Sequence, residues 1–129
     1  MALTPSQLLK QVFPYLPPDE QAAIATVSRM KSYPVGHALC NEGEIEHVFY
    51  IIAEGEVEIT QNMERGEVRV LGRRKSGDFF GEVALIENKP RSATVTTTTP
   101  GRMLEIDREN FNGLLHTYPV VALSMIRRL

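Results

Sequence analysis

The spacing of apolar residues changes twice along the chain. Up to Lys31 it is helical: Leu8, Leu9, Val12 and Phe13, then Ile24, Val27 and Met30, recur at three- and four-residue intervals. Thr4-Pro5-Ser6-Gln7 predicts the first helix start, with Thr4 as cap, Pro5 at the first helical position and Gln7 where a capping box wants Glu or Gln. Pro14 ends that helix. Pro18-Asp19-Glu20 predicts a second start, because proline has the right φ and acids suit the positive end of the helix dipole.

From Ser32 to Ile106 the period becomes two. His47 to Ile52 is the clearest buried strand, and Val57, Ile59, Val68 and Val70 alternate with polar residues around a hairpin loop at Gln61–Gly66. Ala93–Thr99 and Met103–Ile106 are further strands, broken by Pro100-Gly101, and Gly36, Gly43, Gly55, Gly66, Gly72 and Gly77 mark turns. After Ile106 the helical period returns. Asp107 is a good N-cap ahead of Phe111, Leu114 and Leu115. Pro119 opens a last helix, through Val120, Val121, Leu123, Met125, Ile126 and Leu129, with no stop signal. The expected fold is mainly β with flanking helices: a β-jelly-roll barrel over residues 32–106, N-terminal helices over 1–31 and C-terminal helices over 107–129.

Composition narrows the class. At 129 residues the chain is expected to be a single domain, 1–129. Its 14 basic and 16 acidic residues argue against a dedicated nucleic-acid binder, which would carry a basic face. Arg73-Arg74-Lys75 is read as a solvated turn between strands. With one cysteine no internal disulfide can form, and Ala38-Leu39-Cys40 places Cys40 as a small buried residue rather than a nucleophile. Tyr50 is assigned to the core. Glu42 and Glu44, flanking Gly43, are assigned to turn solvation. His37, His47 and His116 lack metal-ligand spacing. No stretch has the length of a membrane helix, and the N-terminus lacks signal-peptide character, so a soluble, cytoplasmic chain is expected.

One segment, Asp78 to Val95, is hard to explain as scaffold. Gly81 lets the backbone turn sharply and approach a ligand. Glu82 to Glu87 has the composition of a short helix, whose N-terminus would offer free N–H groups to an anion. Arg91 supplies a planar fork that fits two phosphate oxygens, and the small Ser92 and Ala93 leave room against the backbone. Glu82 is wrong for phosphate alone, and sensible if the ligand also carries a ribose hydroxyl.

Phe80-Gly81-Glu82-Val83-Ala84-Leu85, a short gap and Pro90-Arg91-Ser92-Ala93-Thr94-Val95 resemble the phosphate-binding cassette of the cyclic nucleotide-binding domains. Those domains serve catabolite-activator-like regulators, protein kinase regulatory subunits and cyclic nucleotide-gated channels. Asn41-Glu42-Gly43-Glu44 and Val48 to Val57 are similar to the family's early strands, so the resemblance spans nearly the whole chain. It implies that Arg91 pairs with the cyclic phosphate and Glu82 accepts from the ribose 2′-OH. Backbone N–H groups of Gly81, Ala84, Ser92 and Ala93 complete the grip, and Leu71 and Val83 touch the base. Cyclic AMP is favoured over cyclic GMP, although a hydroxyl at Ser92 is compatible with guanine.

The implied function is a non-catalytic sensor without cofactor or metal. Ligand binding shifts the terminal helices and signals to an attached effector, with self-association as a further option. A phosphodiesterase would need a metal pair or an activated nucleophile, and no His/Asp cluster, Cys-His pair or Ser-His-Asp set is present to supply it. The same lack of clustered histidines argues against a cupin-type metal enzyme. The alternative is a degenerate barrel that has lost its ligand and acts as a protein-interaction module. A transcription-factor role would require a DNA-reading helix pair after the sensor, so the chain is expected to be at most a fragment of such a regulator, and the family's longer lid helix over the base is expected to be cut short at Leu129, leaving base discrimination poor.

Overall fold

The capping box at Thr4 forms as its residue types demand. Thr4 Oγ1 accepts from the Gln7 amide at 3.2 Å, and Gln7 Oε1 accepts from the Thr4 amide at 2.9 Å. In the computed structural model, which describes residues 3–14, 16–81, 88–117 and 119–120, this box opens helix α1 (Pro5–Val12). Helix α2 (Pro18–Thr26) follows, and buried Gln21 ties the link between the two by donating to the Phe13 and Leu16 carbonyls.

The strand region begins earlier than its period suggests. Met30, expected on a helix, lies in β1 (Arg29–Tyr33), which pairs antiparallel with β8 (Gly101–Asp107) from Arg29↔Glu105 to Tyr33↔Gly101. That ladder satisfies the backbone through residues more than sixty positions away, which local spacing cannot reveal.

The remaining strands are β2 (Ala38–Cys40), β3 (Val48–Glu54), β4 (Glu56–Asn62), β5 (Val68–Lys75), β6 (Phe79–Phe80) and β7 (Thr94–Thr97). They form two four-stranded antiparallel sheets, in the orders β1-β8-β3-β6 and β2-β7-β4-β5. The jelly-roll expectation holds, with one correction: the sheets are not closed into a barrel, because among the described residues no ladder joins the end strands of one to those of the other.

β3 is buried on both faces, which is why it reads as an unbroken apolar run. Phe49, Ile51 and Ala53 pack with Leu8, Leu9, Phe13, Ile24 and Phe111 of the helical layer. Tyr50 and Ile52 point the other way, into a core between the sheets with Cys40, Val57, Phe80, Val95 and Met103.

Two further corrections concern turns. Arg73-Arg74-Lys75 is no turn: it lies in β5 with Lys75↔Glu56, Arg74↔Val57 and Arg73↔Glu58, and Gly72 lies within the strand beside it. Acidic partners across the ladder hold it there, with Arg73 Nη2 3.1 Å from Glu58 Oε2. The Asn41–Glu44 turn does more than meet solvent. Glu42 Oε1 accepts from the Asn62 amide at 2.8 Å, fastening the turn to the end of β4. Asp107 caps helix α3 (Arg108–Thr117) by accepting from the Asn110 amide at 2.7 Å. Most of the helix expected from Pro119 lies outside the described residues.

Candidate functional site

The site grows out of β6. Phe80 pairs with Tyr50, and their rings stack 4.9 Å apart at 14°. The next residue, Gly81, has φ +83°, a conformation that suits glycine. Glu82, Val83 and Ala84, expected to contact ligand, lie outside the described residues. The backbone of Arg91 is fixed by two reciprocal bonds: its amide donates to the Glu44 carbonyl at 2.8 Å, and its carbonyl accepts from the Gly43 amide at 2.9 Å. The Asn41–Glu44 turn is thus the wall on which Arg91 is mounted.

The Arg91 side chain turns inward and is 9% exposed. Nη2 donates to the Val48 carbonyl at 2.6 Å, and Nη1 approaches the Gly81 carbonyl at 3.4 Å. Nε is buried without a hydrogen-bond partner among the described residues, where the carboxylate paired with it, Glu46 Oε2, stands 3.9 Å away. Gly81 and Arg91 interlock: a Cβ at Gly81 would sit 2.7 Å from Arg91 Nη1 and 3.0 Å from the Val48 oxygen. The structure therefore brings Gly81 and Arg91 of the motif into contact.

The other expected contacts are more scattered. Ser92 is exposed, and its carbonyl accepts from Gln61 Nε2 at 2.9 Å. Ala93 is half-buried just before β7. Leu71 is 46% exposed at the irregularity in the β4–β5 ladder, and β4 separates its strand from β7.

Around Arg91, burial and the guanidinium act in opposite directions on the neighbouring Glu46 and Cys40. Burial pushes the Glu46 carboxyl above its ordinary range; Arg91 pulls it back, and neighbouring Glu44 pushes it up again. Burial drives the Cys40 thiol up to about 12, with Arg91 opposing, so the guanidinium's charge is felt in the core between the sheets. The Tyr50 phenol is also raised, chiefly by burial, and donates to the Leu39 carbonyl at 3.1 Å. A buried cation whose partners among the described residues are two neutral carbonyls and one distant carboxylate is suited to receive an anion.

Sequence reasoning missed three participants. Glu46 faces Arg91 across a sequence gap that only the fold closes. The Val48 carbonyl is backbone, invisible to residue type. Asn88, where the described chain resumes, accepts from both His47 Nε2, at 2.8 Å, and Arg108 Nη1, while the Arg108 amide donates to the His47 carbonyl at 2.8 Å. This knot joins the gap between the two halves of the cassette to the first residue of α3. An acceptor amide in a polar loop carries no signal of that role.

Residues 30–118 match the family model described as the cyclic nucleotide-binding domain, and the chain belongs to that family. It is 35% identical over 100 residues to a cAMP-dependent protein kinase regulatory subunit of Aspergillus niger, covering 78% of this chain and 24% of that protein. It is 36% identical over 109 residues to the cGMP-dependent protein kinase egl-4 of Caenorhabditis briggsae, covering 81% of this chain and 14% of that protein. Among solved structures, the regulatory domain of Toxoplasma gondii PKA with cAMP superposes with a TM-score of 0.75 at 29% identity, covering 85% of this chain and 42% of that one. The chain spans about a quarter or less of the curated relatives' length.

Proposed function

We propose that the chain binds a cyclic nucleotide, with the phosphate at Arg91, and passes its occupancy to an attached effector. The observation that carries this is the Arg91 guanidinium, 9% exposed, mounted on a fixed turn, with Nε lacking an acceptor among the described residues. A cyclic phosphate would replace its neutral carbonyl partners with anionic ones.

Around that anchor, Glu82 accepts from the ribose 2′-OH. The N–H groups of Gly81, Ala84, Ser92 and Ala93 complete the sugar-phosphate contacts, and Val83 and Leu71 face the base. Cyclic AMP is the preferred ligand in this reading, in keeping with the cAMP-dependent relative; the cGMP-dependent relative makes the base the point to test. The chain acts as one regulatory, non-enzymatic domain in the cytoplasm. Among the described residues, no helix is long and apolar enough to cross a membrane.

A thermal-shift comparison of cyclic AMP, cyclic GMP and cyclic dinucleotides tests the proposal. A ligand at 100 times its dissociation constant adds about 2.7 kcal/mol of stability. Stabilisation by none of them would leave the ligand-free interaction module as the better reading.

A further inference from the structure

The basic stretch in β5 is unused by the site above. Residues 65–75 hold five basic side chains (Arg65, Arg69, Arg73, Arg74, Lys75) and one acidic one, Glu67, in a chain whose formal net charge is -2. Among the described residues β5 ends its sheet, so one edge of this eight-residue strand pairs with no other strand. Of its cations, Arg73 faces Glu58 and Glu56, whereas Arg69 and Arg74 have no carboxylate in ion-pair range among the described residues.

Cations on an edge strand ordinarily keep other strands away. Here they are interleaved with large exposed apolar residues, which such a guard does not need: Val68 is 62% exposed and Val70 50%. The ladder sets Val68, Val70 and Arg73 on one face and Arg69 and Arg74, opposite Gln61 and Val57, on the other, so an added strand that alternates apolar and acidic residues meets both sets. Val57 points into the core between the sheets, so its neighbours Glu58, Thr60 and Asn62 face outward, and their partners Arg73, Val70 and Val68 do too. Val70 and Arg73 are an odd number of residues apart. The extra residue at Leu71 is what lets them share that face.

We infer that the β5 edge is a docking site for an extended acidic protein segment, which adds to the sheet as a further strand. Its backbone pairs with the free edge, its apolar side chains lie against Val68 and Val70, and its carboxylates meet the β5 cations. A second copy of the chain is a poor occupant, because antiparallel self-pairing centred on the strand would set Arg69 against Arg74.

The test uses the full chain with three labelled probes in anisotropy titrations: an alternating Glu-Val peptide of β5's length (8 residues), its Lys-Val counterpart, and a single-stranded oligodeoxynucleotide. The expected result is binding of the Glu-Val peptide that weakens with salt, with amide NMR shifts centred on Val68–Lys75. Binding should weaken at least about tenfold in Arg69→Glu/Arg74→Glu and persist in Arg69→Lys/Arg74→Lys, which keeps the charge if the reversal disturbs folding. No binding, shifts centred elsewhere, equal affinity for the Lys-Val peptide, or tighter binding of the oligonucleotide would each overturn the proposal.

Discussion

Replacing Arg91 by Met separates its two roles. Methionine keeps an unbranched side chain of similar reach and removes the charge. Without nucleotide, the variant loses the 2.6 Å bond from Nη2 to the Val48 carbonyl, a charged hydrogen bond worth about 1.5–3 kcal/mol. It also removes the buried Nε that has no acceptor, relieving a penalty of about 1–3 kcal/mol. The two nearly cancel, and Glu46 is only a distant, partly exposed partner, so folding stability should change by less than about 1.5 kcal/mol. Thermal melting without ligand should therefore shift by only a few degrees. Nucleotide binding behaves differently. Loss of a charge-assisted contact in a partly desolvated site costs about 2–5 kcal/mol. That is a weakening of roughly thirty- to several-thousand-fold. Melting curves and calorimetric titration with cyclic AMP and cyclic GMP read both quantities on one preparation. Affinity within twofold of the parent would show that Arg91 is not the phosphate ligand, and an unfolded variant would show that the guanidinium is a strut of the fold.

Carbon-detected NMR titration of Glu46 should give a pKa above the ordinary glutamate value, rising further in Arg91→Met because the guanidinium now holds it down. Since the folded pKa is the raised one, Glu46 favours the folded state most at pH below its unfolded pKa, and that contribution fades as pH rises through the folded value. Cys40, with its thiol pushed up to about 12 and its side chain buried, should resist alkylation in mildly alkaline buffer until the chain unfolds, so labelling should track denaturant rather than reagent concentration. Gly55→Ala combines φ +97° with a Cβ 2.8 Å from the Pro100 carbonyl. Urea unfolding should show a loss of roughly 2–4 kcal/mol, from left-handed backbone strain and overpacking.

What the sequence could show depended on the range of the interaction. Thr4 with Gln7, and Asp107 with Asn110, are contacts within one helical turn, so residue type alone predicted them. Gly81 and Arg91 were legible because a glycine at positive φ and a forked cation are chemically distinctive. Features that depend on pairing were not. Met30 fits a helical stripe or a strand equally well until β8 lies beside it. Arg73-Arg74-Lys75 looks like a turn until Glu56 and Glu58 stand opposite. Glu46 is one of several glutamates in its loop, and nothing in its neighbours singles it out as the one facing Arg91.

The contact between Gly81 and Arg91 also has a consequence for inheritance. With the guanidinium packed where a Cβ would stand, the two codons behave as one character. While Arg91 is kept, any side chain at position 81 is selected against twice, once by the backbone and once by the neighbour. In a lineage where Arg91 gives way to a smaller residue, the guanidinium's share of that pressure vanishes, while the positive φ and the Val48 carbonyl remain. Position 81 should then accumulate substitutions sooner than Gly55, whose positive φ and backbone contacts with the Pro100-Gly101 turn are both untouched. Paired drift at 81 and 91, with Gly55 intact, would be the sequence trace of a descendant that has kept the fold and given up its anion.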